Sequence, residues 1–258
     1  VDGGGMTDET VLITGCSSGI GRATAQYFND DGWTVYATSR DEDDIADLAE
    51  AGCETAELDV RQGSDIDRVV DRIVEEQNGR IDCLVNNAGY GQYGPVEDIP
   101  ADKLHKQFDV NLYGPHRLVR AVLPHMRDRE EGTIVNVSSV NGLGWAPGGS
   151  IYSACKAGVL ALTKSAAQEY AEQALRVNAL VPGAFDTPML QSVMQQAAEA
   201  QGADVEAVRA QYAGRSAAGR IGTPEEAAAA VLWLASDAAT YVHGHSMIVD
   251  GGTTCTVR

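Results

Sequence analysis

The feature that most constrains the fold is an end-to-end alternation of short β-branched, apolar runs with longer helical patterns. The runs with strand character are Thr10–Thr14, Thr34–Thr38, Glu54–Leu58, Cys83–Asn86, Gly132–Val137, Arg176–Val181 and Ser246–Val249. The helical patterns lie near residues 19–30, 43–50, 64–78, 101–128, 152–172 and 224–236. Strands that alternate with helices are typical of βαβ units, so the pattern predicts an α/β fold with a parallel sheet.

The chain shows no Pro/Ser-rich linker and no internal repeat, although its 258 residues have room for one large domain or two small ones. We predict a single domain over residues 6–258, preceded by a flexible leader at residues 1–5. The segment 188–220 is polar, rich in Ala and Gln, and has no strand pattern. We expect it to form a helical lid or substrate loop before the last helix and strand.

The net charge of −18 limits the classes of partner. A field of that sign repels nucleic acid and anionic membranes, so neither is an expected partner. An acidic, lysine-poor surface fits a halophilic protein, with an ordinary acidic protein as the alternative. The chain has no run of about 18 apolar residues and no signal-peptide pattern, so we predict a cytoplasmic location.

Cysteine and histidine give no sign of a metal centre. The 5 cysteines are odd in number and show no CxxC spacing, so neither a disulfide framework nor a zinc site is predicted. The 5 histidines form no HExxH or HxxxH set and are expected to be structural or surface residues.

A glycine turn follows the first predicted strand. The sequence Val11-Leu-Ile-Thr-Gly15-Cys-Ser-Ser-Gly19-Ile-Gly21 runs from that strand into a predicted helix. In this context, backbone N–H groups and a helix N-terminus bind a pyrophosphate, and a plain tight turn is the alternative.

The end of the second strand bears on the choice of nucleotide. An acidic side chain there accepts hydrogen bonds from a ribose diol, whereas a basic one pairs with a 2′-phosphate. Here Ser39 is followed by Arg40, so NADP(H) is favoured and NAD(H) stays possible. The alternative is that Arg40 only pairs with a neighbouring carboxylate, that of Asp41, Asp43 or Asp44.

Tyr152 and Lys156 stand four residues apart at the start of a predicted helix, which puts both on one face. An ammonium next to a phenol favours the phenolate and lowers the phenol pKa from about 10. Tyr152 is therefore a candidate general acid or base.

Polar motifs follow the carboxyl ends of the later strands, where open parallel sheets bind ligands. They are Asp59-Val60, Asn86-Asn-Ala-Gly89, Asn111-Leu-Tyr-Gly114, Ser138-Ser139, and Pro182-Gly183 with Thr187. Together with the glycine turn and the Tyr152/Lys156 pair, their order from Thr10 to Gly252 resembles the short-chain dehydrogenase/reductase family. The resemblance implies one Rossmann-type, doubly wound domain with a seven-stranded parallel sheet in the order 3-2-1-4-5-6-7. It also implies a homodimer or homotetramer and hydride transfer between a carbonyl or alcohol and a nicotinamide.

The resemblance gives four residues catalytic roles. Tyr152 exchanges the proton with the substrate oxygen, and Lys156 stabilises the phenolate and holds the nicotinamide ribose. Ser139, 13 residues before Tyr152, hydrogen-bonds the substrate oxygen, and Ser138 faces the other way. Asn111 positions a water beside Lys156, with a helix-bending Asn as the alternative role.

The resemblance also implies a set of cofactor-binding residues, to which Tyr152 and Lys156 belong as well. The set is Gly15, Ser17, Ser18, Gly19, Ile20, Gly21, Ser39, Arg40, Asp59, Val60, Asn87, Ala88, Gly89, Pro182, Gly183, Phe185 and Thr187. For Asn86 and Asn87, an alternative and compatible role is to tie the fourth strand to its neighbours.

The sequence is compatible with more than one class of substrate. The aromatic and apolar residues near the catalytic positions either shape a pocket or pack in the core: Tyr90, Tyr93, Trp145, Pro147, Phe185 and Met189. A neutral ketone or secondary alcohol is the first expectation. A 3-oxoacyl thioester on an acyl carrier protein is second, because that carrier is acidic and would be repelled. An NAD-dependent alcohol dehydrogenase, an epimerase or dehydratase, and a nucleotide sensor without chemistry are further alternatives.

Overall fold

The computed structural model describes residues 9–144 and 147–255. Within these residues, seven parallel strands form one sheet in the order β3-β2-β1-β4-β5-β6-β7, which confirms the predicted doubly wound topology. The strands are β1 Thr10–Thr14, β2 Thr34–Ser39, β3 Glu54–Glu57, β4 Cys83–Asn86, β5 Gly132–Val137, β6 Leu175–Pro182 and β7 Ser246–Val249. Each begins and ends within one residue of its predicted bounds.

Helices cover both faces of this sheet. They are α1 Gly19–Asp30, α2 Ala46–Glu50, α3 Gly63–Glu76, α4 Ala101–Phe108, α5 Gly114–Arg129, α6 Ser150–Glu169, α7 Pro188–Gln201, α8 Val205–Arg215 and α9 Pro224–Ala235. None of the helices in the described ranges combines the length and apolar character needed to cross a membrane.

The helical stretch predicted near 101–128 is helical throughout, with a π-helical turn at Asp109–Tyr113 between α4 and α5. In this turn the N–H of Gly114 donates to the carbonyl O of Asp109, five residues earlier. Pro115 has no N–H to donate to the carbonyl of Asn111, and the Asn111 side chain itself donates to the carbonyl O of Gln107 at 3.2 Å. Both effects disfavour a regular α-helix at this point.

Two apolar layers hold the sheet between its helices. In β1, Val11 and Ile13 pack into the layer that contains Phe28 of α1 and Val231 of α9. Leu12, between them, points to the opposite layer, which is built with α3 and α5. A strand buried on both faces has no polar alternation, which explains why the interior of β1 is a continuous apolar run in the sequence.

The parallel arrangement brings the carboxyl ends of the strands to one edge of the sheet, where the predicted site residues follow them. The segment 188–220 forms α7 and α8, which share a small apolar cluster containing Met194 and Val208. Arg209 of α8 forms an ion pair with Asp186, with 2.7 Å between Nη2 and Oδ2. The helical character agrees with the expectation for this segment, and its role as a lid stays a prediction. The leader at residues 1–5 and Trp145 lie outside the described residues.

The buried thiols make the stability of the fold sensitive to alkaline pH. Burial raises the pKa of Cys16 from about 9 to about 12, raises that of Cys53 and Cys155 to about 11, and raises that of Cys83 further still. A folded-state pKa above the unfolded one gives stability that is fully present below about pH 9 and is lost as the pH rises toward 12. We therefore expect the free energy of unfolding to fall above about pH 9.

Lys156 acts in the opposite direction, because burial lowers its pKa from 10.5 to about 8 and stability then rises with pH between these values. Urea unfolding at several pH values between about 8 and 10.5, compared between wild type and variants, separates the effect of the thiols on stability from that of Lys156. We expect Cys83→Ala to flatten the decline and Cys255→Ala, whose thiol is exposed, to leave it unchanged. Equal slopes in wild type and Cys83→Ala would contradict this prediction.

Candidate active site

The first turns of α6 direct Tyr152 and Lys156 toward the protein interior. The two residues expose only 7% and 5% of their surface. The Lys156 ammonium lies 5.7 Å from the centroid of the Tyr152 ring. A phenol and an ammonium therefore share one buried face of the helix.

The end of β5 anchors this part of α6. The Nζ of Lys156 donates a hydrogen bond to the carbonyl O of Val137 at 2.9 Å. Ser138 donates through Oγ to the carbonyl O of Lys156 at 2.8 Å. The Oγ of Ser139 accepts from the N–H of Asn141 at 3.2 Å, and this side chain is near enough to Tyr152 to oppose the rise of the phenol pKa. The two neighbouring serines thus face different groups, and only Ser139 is directed at the phenol.

Burial controls the protonation of both groups. It raises the pKa of Tyr152 to about 12, against the opposing effect of the Ser139 hydrogen bond. It lowers the pKa of Lys156 to about 8. The lowered phenol pKa expected from the sequence was wrong for this structure, because desolvation of the phenol dominates and the ammonium is itself desolvated. At neutral pH the phenol keeps its proton, which suits a group that donates one.

Asn111 lies in the π-helical turn and is fully buried. Its Nδ2 donates to the carbonyl O of Tyr90 at 2.9 Å, while its Oδ1 has no hydrogen-bond partner among the described residues. A Cβ atom on Gly89 would lie 2.6 Å from this Oδ1 and 3.6 Å from the Nζ of Lys156. The absence of a side chain at Gly89 therefore lets the Asn111 amide approach this backbone on the side of Lys156, and its unpartnered Oδ1 suits a hydrogen bond from a water or a ribose hydroxyl.

The glycine turn is closed by Asn87, whose Nδ2 donates to the carbonyl O atoms of Thr14 and Gly15 at 2.9 and 3.0 Å. Gly15 has a φ of +75°, and a Cβ on Gly21 would overlap both Asn87 Nδ2 and the Gly15 carbonyl O. The side chain of Ser18, the N-cap of α1, makes no capping hydrogen bond. The first N–H groups of α1 therefore face an open cradle, which fits a pyrophosphate.

Beyond β2, Ser39 is buried and Arg40 is exposed. The alternative pairing of Arg40 with its acidic neighbours is not formed, since Arg40 has no salt bridge within the described part of the chain. Asp59 instead accepts from Nε of Arg61 at 3.0 Å. The Arg61 hydrogen bond lowers the pKa of Asp59, and the charge of Arg40 adds a smaller contribution.

Residues after β6 lie partly at the candidate site and partly in the apolar core. The Thr187 side chain caps α7, with Oγ1 accepting from the N–H of Leu190 at 3.3 Å. Its methyl carbon would lie 3.0 Å from a Cβ on Gly19, so Thr187 borders the glycine turn. Phe185 is buried in the apolar layer behind the sheet and its ring packs on Gly222. Of the residues predicted to bind the cofactor, Phe185 and Val60 thus lie in the apolar core.

Two residues at the site were missed by the sequence reasoning. Arg22 of α1 donates to the carbonyl O of Ser17 at 3.2 Å and forms an ion pair with Asp47, so it ties the glycine turn to the segment after β2. Gln107 of α4 is fully buried and hydrogen-bonds the chain after Gly89. The signal for Arg22 is its position directly after Gly21, and the signal for Gln107 is its spacing of four residues from Asn111.

The residues predicted to shape a pocket lie in different surroundings. The Tyr93 ring lies 5.6 Å from the Tyr152 ring, centroid to centroid. Tyr90 has a buried hydroxyl without a partner among the described residues, and Lys106 lies 5.6 Å from its ring centroid. Pro147 and Met189 are exposed. Tyr93 is thus the aromatic residue in direct ring contact with Tyr152 within the described ranges.

Comparison with known proteins gives consistent matches over nearly the whole chain. The family model described as "Enoyl-(Acyl carrier protein) reductase" matches residues 15–254. A 3-oxoacyl-[acyl-carrier-protein] reductase of Thermotoga maritima is 37% identical over 253 residues, covering 96% of this chain and 98% of the relative. A cyclopentanol dehydrogenase of Comamonas is 35% identical, with 97% and 99% covered. The crystal structure of a variant actinorhodin polyketide ketoreductase with NADPH superimposes with a TM-score of 0.91 at 32% identity, covering 96% of this chain and 99% of that one.

Proposed function

Because the chain belongs to the short-chain dehydrogenase/reductase family, we propose that it interconverts a ketone and a secondary alcohol by hydride transfer with NADP(H). As a member of this family it is an oxidoreductase that acts on alcohol or ketone groups. The observation that carries the finer proposal is the buried cluster of Ser139, Tyr152 and Lys156 beside the glycine cradle.

Each side chain of the cluster has one task in ketone reduction. A bound nicotinamide supplies the hydride that adds to the carbonyl carbon. Tyr152 donates its proton to the carbonyl oxygen, and the Ser139 hydroxyl stabilises the negative charge that develops there. Lys156 then stabilises the phenolate through its charge, and a water held by the unpartnered Oδ1 of Asn111 would connect the ammonium to a source of protons. Alcohol oxidation runs through the same groups in reverse.

The cofactor proposal depends on two places at the sheet edge. The cradle of Gly15, Gly19 and Gly21 presents helix N–H groups to a pyrophosphate. Arg40, which is exposed and without a salt bridge to the described residues, is available for a 2′-phosphate. A relative crystallised with NADPH supports this choice, and NAD(H) stays the alternative.

We expect Arg40→Ala to raise KM for NADPH by roughly 10- to 100-fold, because a charge-assisted hydrogen bond to a phosphate contributes about 1.5–3 kcal/mol. KM for NADH should change less than about threefold, since NADH has no 2′-phosphate for the side chain to bind. Initial rates at saturating ketone with both nucleotides measure this directly. Arg127→Ala, which removes an exposed arginine at the end of α5, is the matched control. An equal effect of Arg40→Ala on both nucleotides would contradict the assignment.

Reduction of a 3-oxoacyl thioester on an acyl carrier protein is the second candidate, favoured by the similarity to the Thermotoga enzyme. Two features make it the weaker proposal. The net charge of −18 opposes approach of an acidic carrier. Arg209 and Arg220 of the 188–220 segment are paired with Asp186 and Glu226. Initial rates with simple ketones, secondary alcohols and a 3-oxoacyl thioester, each with both nicotinamides, decide between the candidates. Because of the similarity to cyclopentanol dehydrogenase, NAD-linked alcohol oxidation is a third candidate that the same rate measurements test.

The proposal includes a small-molecule substrate and assembly as a homodimer or homotetramer. The cytoplasmic location and the adaptation to high salt stay predictions from the sequence. Sedimentation and unfolding at low and molar salt would test the assembly and the salt dependence separately.

A further inference from the structure

The loop after β4 is held rigidly next to the candidate catalytic residues. The buried amide of Gln107 accepts from the N–H of Gln92 at 2.9 Å and donates to the carbonyl O of Tyr90 at 3.0 Å. Asn111 donates to the same Tyr90 carbonyl at 2.9 Å, and the N–H of Gly94 donates to the carbonyl O of Gly148 at 2.8 Å. The backbone of residues 90–94 is thus fixed by α4, the π-helical turn and the residues before α6.

This loop carries Tyr93, and Gly91 determines where its ring lies. A Cβ on Gly91 would overlap the ring of Tyr93, with its Cζ at 2.9 Å. The ring therefore folds back over Gly91 and meets Tyr152 at a centroid distance of 5.6 Å and an interplanar angle of 44°. Tyr93 is prepositioned beside the group that would transfer the proton.

The hydroxyl of Tyr93 makes no hydrogen bond to any residue in the described ranges, although the side chain is half-buried. Burial raises its pKa well above 10, and the nearby phenols of Tyr152 and of Tyr212 on α8 raise it further. Tyr93 is consequently a neutral donor and acceptor beside Tyr152.

An apolar ligand that covers this hydroxyl would remove its hydrogen bonds to water and give nothing in return. A ligand with a suitably placed oxygen would replace them, and sites of this kind reject analogues that lack the matching group. The chemistry of the pocket wall therefore selects for a second oxygen on the substrate.

We propose that Tyr93 is a specificity-determining residue that hydrogen-bonds a hydroxyl or second carbonyl of the substrate, while its ring packs on the carbon skeleton beside the reacting carbonyl. The substrate class is a small hydroxyketone or diketone, in which one oxygen meets Tyr152 and a second meets Tyr93, whose ring centroid lies 5.6 Å from that of Tyr152. The inference rests on the proposed function and adds the substrate class. Gln107 is the positioning residue for this contact, because it fixes the loop on both sides of Gly91.

The test compares kcat/KM for cyclohexanone and cyclohexane-1,4-dione with NADPH. We expect wild type to prefer the dione by about tenfold or more after correction for its two equivalent carbonyls, and Tyr93→Phe to abolish that preference mainly through KM. Because Tyr93→Phe removes the hydroxyl that cyclohexanone would otherwise cover without a partner, kcat/KM for cyclohexanone should rise while that for the dione falls. The Kd for NADPH should stay within about twofold of wild type. Tyr241→Phe, which alters a fully exposed phenol, is the control and should keep the preference.

Gln107→Met preserves volume and removes both hydrogen bonds to the loop. We expect it to reduce the dione preference several-fold without changing the Kd for NADPH; an intact preference would overturn the positioning role. A dione preference that is absent in wild type, or unchanged in Tyr93→Phe, would overturn the assignment of Tyr93. Failure of wild type to turn over any ketone while it binds NADPH would instead contradict the proposed function.

Discussion

Tyr152→Phe is expected to lower kcat for ketone reduction by roughly 10²- to 10⁴-fold, the usual contribution of a positioned general acid. The variant keeps the ring that packs beside Tyr93 and removes only the hydroxyl whose pKa burial raises to about 12. The carbonyl oxygen would then have to take its proton from water, which is far less well placed.

The measurement is single-turnover reduction under saturating NADPH, together with NADPH titration by fluorescence. Because the cofactor cradle is built by the glycine turn and Asn87, the Kd for NADPH should stay within about threefold of wild type. Tyr113→Phe, a half-exposed tyrosine of the π-helical turn, provides a matched control with an unchanged kcat. Turnover by Tyr152→Phe close to that of wild type would refute the assignment of the acid.

Gly21→Ala should reduce NADPH affinity by about 100-fold or more and lower Tm by several degrees. A Cβ at this position would overlap Asn87 Nδ2 and the carbonyl O of Gly15, so the turn must open to accept it. Overpacking in a closely packed site costs about 1–3 kcal/mol, and the opening displaces the N–H groups that would meet the pyrophosphate. Both stability and binding therefore decline together.

Gly63→Ala is the matched control, since nothing lies within 4 Å of a Cβ placed there at the start of α3. It should leave NADPH affinity unchanged and Tm the same or slightly higher. Calorimetry and NADPH titration on the two variants separate the effects. An unaltered NADPH affinity in Gly21→Ala would show that the turn does not hold the dinucleotide.

Most of the fold could be predicted because its signals are local. Strands such as Thr10–Thr14 are buried on both faces, so they appear in the sequence as short apolar runs between glycines and polar residues. The π-helical turn at Asp109–Tyr113 could not be predicted in the same way. It depends on a side-chain hydrogen bond from Asn111 and on the missing N–H of Pro115, both inside a pattern that is otherwise helical.

The candidate site was predictable where its residues are close in sequence or follow a strand. The spacing of Tyr152 and Lys156 is enough to place both on one face of α6. The role of Gln107 could not be predicted, because its hydrogen-bond partners, Tyr90 and Gln92, lie 17 and 15 residues away in the sequence. The pKa of Tyr152 was wrongly predicted for a related reason, since burial is a property of the whole packed structure and outweighs the neighbouring charge.

The π-helical turn also sets a limit on how this chain can be simplified. Deleting one residue between Asp109 and Tyr113 would remove the extra residue that makes this turn π-helical, but Pro115 would still lack the N–H that a regular helix uses here. The same deletion would rotate the residues on one side of it by about 100° and direct the amide of Asn111 away from Gly89 and Lys156. A redesign that deletes a residue here and also replaces Pro115 would therefore obtain a regular helix and lose the placement of Asn111 next to Gly89 and Lys156.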